Sequence, residues 1–226
     1  MAQARMPLPD DEQALTSRRL FMPPPQHSRR VAFYLELLYL LGLRNAVKQL
    51  VLAHFKPRAG ETVLHTGCGD GTLSVELKRL HPNVELEVVD PDEGALQSAA
   101  QQARAASRDM VFQKGYLQDL PSASERCDWV LCTLLLYRLR GEDRGEAFME
   151  FTRVLKPGGR LLVVDFGALA RGLGGWALRG LARHQGGIAE QQSIGLVEML
   201  QLSSLTQIKR VGEGPLGLQA VLAQKG

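Results

Sequence analysis

The sequence predicts an α/β fold, a mainly parallel seven-stranded sheet doubly wound by helices, with an antiparallel hairpin at its C-terminal end. Three observations carry this expectation. Short apolar runs alternate with helix-patterned runs across residues 61–166. The run Val63-Leu64-His65-Thr66-Gly67-Cys68-Gly69-Asp70-Gly71-Thr72 is an apolar strand breaking into a glycine-rich turn. Residues 206–211 and 216–223 read as two strands reversed at Gly212-Glu213-Gly214-Pro215.

The elements follow in order. Residues 1–28 lack periodicity, carry Pro23-Pro24-Pro25 and read as a flexible arm. From 29 to 226 the chain reads as one domain. Apolar residues at helical spacing (Phe33, Leu37, Leu40, Leu41, Val47, Leu50, Val51) predict one or two cap helices over 29–56, jointed at Gly42. The first strand spans 62–65 and its helix 72–80. The second strand is 84–90, with a helix over 92–107. The third strand lies near 110–113. The fourth, 128–134, is apolar throughout its middle, as a strand buried on both faces must be. A helix over 144–155 stops at Lys156-Pro157-Gly158-Gly159, and the fifth strand is 160–166. Residues 168–204 are helical in pattern but broken by glycines, and read as a lid.

Bulk properties narrow the function classes. The 226 residues are enough for one large α/β core, and 45% apolar with 23% charged residues is the balance of a folded chain. A net charge of +3 gives no argument for a nucleic-acid partner. Cys68, Cys127 and Cys132 show no CxxC spacing, so neither a metal site nor a disulfide framework is expected, and a cytoplasmic setting fits. The apolar run 31–43 is broken by Glu36 and too short to span a bilayer. The arginine pairs Arg18-Arg19 and Arg29-Arg30 read as a solvated tail, with peripheral membrane contact left open. The oligomeric state is not legible.

The glycine turn carries the chemistry. Glycine has no Cβ and accepts positive φ, so backbone there can approach a ligand closely. The helix that follows directs its first N–H groups at whatever sits in the turn. The spacing is G-x-G-x-G (Gly67, Gly69, Gly71); the dinucleotide fingerprint would want glycine where Thr72 stands. Asp90 ends the second strand, where a carboxylate can accept both hydroxyls of a ribose. Its other reading, a helix cap, belongs better to Asp92.

Glycine turn, strand-two acid, the Asp119-Leu120-Pro121 loop, the apolar fourth strand and the Lys156-Pro157-Gly158-Gly159 turn stand in one order. That order resembles the class I S-adenosyl-L-methionine (SAM)-dependent methyltransferases, a Rossmann-like family, and the C-terminal hairpin matches as well. Residues 33–71 and 153–166 are most similar to the methyltransferases of quinone and phospholipid synthesis. The resemblance implies SAM as cofactor and S-adenosyl-L-homocysteine (SAH) as product. Gly67, Cys68, Gly69 and Gly71 would pass beneath the methionine and ribose. Asp90 would hold the ribose, Pro91 would flank the adenine, Leu117 would offer backbone to its edge, and Thr133 would lie near the methionyl group. Two positions depart from the family pattern. His65 stands where an acid usually helps hold the SAM ammonium, and Tyr116 where an acid often reads the adenine amino group. A neutral imidazole can accept one hydrogen bond. Loss of one charge-assisted contact weakens binding by about 1.5–3 kcal/mol, with Asp70 or Asp119 as candidates to compensate. Tyr116 could instead stack on the adenine.

Methyl transfer from a sulfonium chiefly needs alignment and exclusion of water, with a base only where the acceptor keeps its proton. Tyr137, with Arg138 after the fourth strand, and His184 in the lid are the candidate catalytic side chains; each also reads as structural. The apolar cap (Phe33, Tyr34, Leu37) and lid (Leu169, Leu173, Trp176) predict a small, hydrophobic acceptor such as a quinone precursor, a lipid or a polyketide-like ring. Two other classes compete. One is a methyltransferase-fold scaffold that has lost its ligand, suggested by His65 and Tyr116. The other is a nicotinamide-dependent oxidoreductase, disfavoured by Thr72 and the hairpin.

Overall fold

A computed structural model of the chain describes residues 42–139, 141–167 and 195–226. Its elements are α1 (Arg44–His54), β1 (Thr62–Thr66), α2 (Thr72–Leu80), β2 (Glu85–Asp90), α3 (Glu93–Ala105), β3 (Val111–Lys114), β4 (Cys127–Thr133), α4 (Gly141–Val154), β5 (Leu155–Phe166), α5 (Leu196–Gln201), β6 (Leu205–Glu213) and β7 (Leu218–Lys225). The strands form one seven-stranded sheet in the order β3-β2-β1-β4-β5-β7-β6. The first five are parallel, and β7 runs antiparallel to both β5 and β6. The expected arm 1–28, the first part of the cap and most of the lid lie outside the described residues.

Alternation along the strands builds two apolar layers, because successive side chains point to opposite faces. Val63, Val88, Trp129, Leu131, Leu162 and Val164 face one layer, where α1 adds Val47 and Val51 and α2 adds Leu77. Leu64, Val89, Val130, Cys132, Leu161 and Val163 face the other, where α4 adds Phe148 and Phe151 and α5 adds Leu196 and Leu200. Both faces are covered, which is why the central strands are uniformly apolar. Each fully buried Val or Leu contributes roughly 1.5–3 kcal/mol over exposure. Trp129 is held on every side: its Nε1–H donates to Glu61 Oε2 at 3.1 Å, Phe55 meets its ring edge-on, and the Arg160 guanidinium lies 5.3 Å from its centroid.

Several boundaries differ from the sequence reading: the helix expected over 144–155 is Gly141–Val154, and the strand expected over 206–211 is Leu205–Glu213, so Gly212 and Glu213 of the expected reversal pair with Ala220 and Gln219. Lys156-Pro157-Gly158-Gly159 is not a turn ahead of the fifth strand but a bulge within it: Leu155 already pairs with Cys127, and pairing resumes at Arg160 and Trp129. The C-terminal strand holds the bulge, with Lys225 Nζ donating to Leu155 O at 2.8 Å and Gln224 Nε2 to Gly158 O at 3.0 Å. The last strand starts at Leu218 rather than 216, because Leu216 sits at φ 60° in a 3₁₀ turn, Pro215–Gly217.

The order places β1 beside β4, with the parallel crossovers leaving in opposite directions from them. Open α/β sheets bind ligands outside the carboxyl ends of the strands at such a switch point. The glycine turn after β1, the acid ending β2 and the segment after β4 all meet there.

Candidate functional site

The turn from β1 to α2 is left-handed at all three glycines, with φ of 79° at Gly67, 52° at Gly69 and 84° at Gly71. They are glycine for different reasons. A Cβ on Gly67 would strike the carbonyl oxygen of Thr133, and one on Gly71 would strike the backbone of Ala99 in α3. A Cβ on Gly69 would meet nothing within 4 Å. Two glycines thus let β4 and α3 pack tightly, and the third opens on the crevice. Asp70 is occupied: Oδ1 accepts from Thr72 N–H at 3.0 Å, and Oδ2 pairs with Arg44 of α1 at 3.1 Å. It caps the first turn of α2 and ties the cap helix across the turn.

Asp90 lies against this turn. Asp90 is only 6% exposed; its carboxylate accepts from Asp92 N–H at 2.9 Å, and the Gly69 N–H and the Cys68 thiol lie close to it. Burial pushes its pKa up, and these neighbouring donors pull it back toward the ionised form. Asp92 takes the capping role, accepting from Gly94 and Ala95 N–H at 2.8 and 3.2 Å. Pro91 is buried beside Asp90, and Gly115 N–H donates to Asp90 O at 3.4 Å, bringing the segment after β3 alongside. Of that segment, Tyr116 is half-buried and Leu117 packs into the core. Asp119 is exposed and folds back on Tyr116 O through its own N–H. Glu150 and Arg153 of α4 clamp the next residues of the chain, binding Leu120 N–H, Leu120 O and Ser122 O at 2.8, 2.9 and 3.0 Å.

His65 is fully buried at the end of β1 with both ring nitrogens engaged: Nδ1 meets Ser74 Oγ of α2 at 2.8 Å, and Nε2 meets Thr133 Oγ1 of β4 at 3.1 Å. The Thr133 hydroxyl donates to Gly67 O at 2.9 Å. Desolvation lowers the His65 pKa to about 4, so the ring is neutral at physiological pH.

On the other side of β4 the chain passes through Leu134 at φ 48°, a conformation that costs a branched residue free energy. Asp165, fully buried at the end of β5, holds this bend. Its Oδ2 accepts from Leu135, Leu136 and Tyr137 N–H at 3.0, 2.8 and 3.3 Å, and Oδ1 accepts from Phe166 N–H at 2.7 Å. Sequence reasoning missed it, although a lone acid closing the run Leu161-Leu162-Val163-Val164 was the available signal. The Tyr137 ring stands edge-on to Phe166 with centroids 5.3 Å apart. The structure therefore gathers His65, Gly67, Cys68, Gly69, Gly71, Asp90, Pro91, Tyr116, Leu117, Thr133 and Tyr137 around the carboxyl ends of β1, β2 and β4. His184 lies outside the described residues. Among the described residues no group of His, Cys, Asp and Glu could hold a metal ion, and no helix is long and apolar enough to cross a membrane.

Known proteins resemble this chain in sequence and fold. Residues 63–159 match the family model described as a methyltransferase domain. The ubiquinone/menaquinone biosynthesis C-methyltransferase UbiE of Syntrophotalea carbinolica is 33% identical over 122 residues, 54% of this chain and 48% of that protein. The demethylmenaquinone methyltransferase of Deinococcus radiodurans is 34% identical over 143 residues, 63% of this chain and 57% of that one. The chain thus spans about half the length of these curated relatives. Among solved structures, a SAM-dependent methyltransferase from Methanosarcina mazei superposes with a TM-score of 0.59 at 21% identity, covering 77% of this chain and 96% of that one. The phosphoethanolamine N-methyltransferase 2 of Haemonchus contortus, in complex with SAM, gives 0.59 at 18% identity over 72% of this chain and 37% of that one.

Fold and family match together point to one class: residues 63–159 are similar to a methyltransferase domain, and the fold is the Rossmann-like one of solved SAM-dependent methyltransferases. Within that class the chain stands loosely near the UbiE group.

Proposed function

We propose that the chain binds SAM in the crevice after β1 and transfers its methyl group to a small, hydrophobic acceptor. The observation that carries this reading is Asp90, a nearly buried carboxylate set against Gly69, the glycine of the turn that opens on free space. A buried sugar needs such an acceptor for its two hydroxyls, and the missing Cβ leaves it room. The residues fit the cofactor on those grounds. Asp90 would accept from the ribose. Gly67, Cys68, Gly69 and Gly71 would line its underside, Pro91, Tyr116 and Leu117 the adenine, and Thr133 the methionine end. Bound there, SAM supplies an electrophilic methyl on a sulfonium. The chain's own task is to align the acceptor and keep water out.

The acceptor class draws on the quinone-pathway names of the relatives and on the apolar cap and lid residues. Tyr137, braced by Phe166 and by the Asp165-held backbone, would border the acceptor, and a base is needed only for an acceptor that carries a proton. No nucleic-acid partner is proposed, and the setting we propose is cytoplasmic.

Titration calorimetry with SAM and SAH tests the cofactor reading. Wild-type protein is expected to bind both. Asp90→Ala is expected to lose at least about a hundredfold in affinity, two hydrogen bonds to a charged acceptor being worth ~1.5–3 kcal/mol each, while keeping its melting temperature. No heat from the wild-type protein would contradict the reading and favour a scaffold role. For the acceptor, a mass-spectrometric screen of demethylated quinones, phenolic rings and lipids is expected to show one added methyl on a quinone-type ring.

A further inference from the structure

The bonding around His65 supports a second step, which rests on the SAM reading. We propose that His65 does not touch the cofactor but is a positioning residue, a neutral strut that fixes the glycine turn to α2 and β4 from behind. The geometry determines its tautomer. The Thr133 hydroxyl gives its proton to Gly67 O at 2.9 Å, so toward His65 it can only accept, and Nε2 carries the hydrogen. Nδ1 then bears the lone pair and accepts from the Ser74 hydroxyl at 2.8 Å. The chain Ser74, His65, Thr133, Gly67 runs in one direction with each link made, and it joins the first turn of α2, the end of β1, the end of β4 and the first glycine. His65 and Ser74 are fully buried.

The strut sits where it can set the width of the crevice. Gly67 is pressed against the Thr133 carbonyl so closely that no Cβ fits between them. Ser74 stands in the first turn of α2, just past its N-cap Gly71. Loosening either link frees the backbone on which the cofactor would lie. A carboxylate at position 65 has acceptors only. It could take the Ser74 hydroxyl but could not donate to Thr133, and its charge would be buried with no cation among the partners named. Glutamine keeps one acceptor and one donor and can preserve the chain.

The two roles separate on two ligands. SAH carries the amino-acid end; 5′-methylthioadenosine carries the nucleoside and sulfur without it. A strut behind the turn serves both ligands, whereas a direct ligand of the ammonium serves SAH alone. Calorimetry on wild type, His65→Asp, His65→Gln and Ser74→Ala, each first shown to melt cooperatively, reads this. The strut predicts that His65→Asp weakens SAH and methylthioadenosine alike, by about tenfold or more, that Ser74→Ala weakens both by about threefold to tenfold, and that His65→Gln stays within about threefold for both. Should His65→Asp not fold, Ser74→Ala carries the same comparison, since its buried side chain cannot reach a ligand. The proposal is overturned if His65→Asp tightens SAH, or if either variant changes SAH and leaves methylthioadenosine unaltered. Ring ¹⁵N spectra of the ligand-free protein give an independent readout: a single neutral Nε2–H tautomer for His65 is expected near pH 7, and an imidazolium there would overturn the strut. A wild-type protein that binds neither ligand but shows that tautomer would defeat the cofactor reading and leave the strut as a device of the fold alone, contradicting its proposed role.

Discussion

A carboxylate and an imidazole at the end of β1 ask different things of their surroundings. The carboxylate needs donors or a cation; the imidazole, neutral and paired at both nitrogens, needs one donor and one acceptor, and Ser74 and Thr133 supply them. Burial carries a consequence for stability. The folded pKa of His65 is about 4 against 6.5 in the unfolded chain, so below pH 6.5 the unfolded state takes up a proton that the folded state refuses. The contribution of His65 is complete above pH 6.5 and is lost as pH falls toward 4, by about 3 kcal/mol in all. Asp165 has the opposite sign. Desolvation raises it from 3.8 to about 6 despite four backbone donors, and it lies near the Cys132 thiol, so its stabilising share is present below pH 4 and lost as pH rises through 6. Urea unfolding across this range is expected to show wild type losing stability relative to His65→Gln on acidification, and gaining it relative to Asp165→Asn. Parallel curves would contradict these assignments.

Along the elements, the three glycines of the turn make separable predictions. Gly71→Ala combines a left-handed φ with a clash against the α3 backbone, and should cost about 2–5 kcal/mol. Gly69→Ala meets open space, so its cost should stay near the ~1–2 kcal/mol of the backbone conformation. It should nonetheless abolish most SAH binding, because its methyl group enters the crevice. Thermal melts and calorimetry on the pair check this; equal destabilisation would count against the division of roles. Much at this scale was readable in advance. The helix predicted over 72–80 is α2, Thr72–Leu80, because a glycine turn before it and His81-Pro82 after it punctuate the pattern. Asp92 announced itself as a cap. Lys156-Pro157-Gly158-Gly159 misled, since proline and two glycines look the same in a turn and in a bulge, and only Gln224 and Lys225, far along the chain, decide between them. For the same reason the partners of His65 were not legible. Thr133 reaches it only because β1 and β4 are neighbours in the sheet.

For the molecule as a whole, strand order explains why one crevice gathers residues from four stretches of chain. β1 is the middle of the five parallel strands, and β2 and β4 lie on its two sides, so the ends of all three open at one place. The fold class followed from the alternation of apolar runs and from the terminal hairpin, both properties of burial. The site was partly legible because glycines and a strand-end acid are marked by type. The bracing behind it, Asp165, Ser74 and the Glu150–Arg153 clamp, uses common residues whose meaning comes from distance alone. The central claim is that a nucleoside lies over Gly69 with its sugar held by Asp90. A crystal structure of the protein with SAH tests it most directly. Both ribose hydroxyls are expected within hydrogen-bond distance of the Asp90 carboxylate, with the sulfur side passing over Gly67 and Gly69; SAH seated elsewhere, with the Asp90 carboxylate still bonded only to Asp92 N–H, would contradict it.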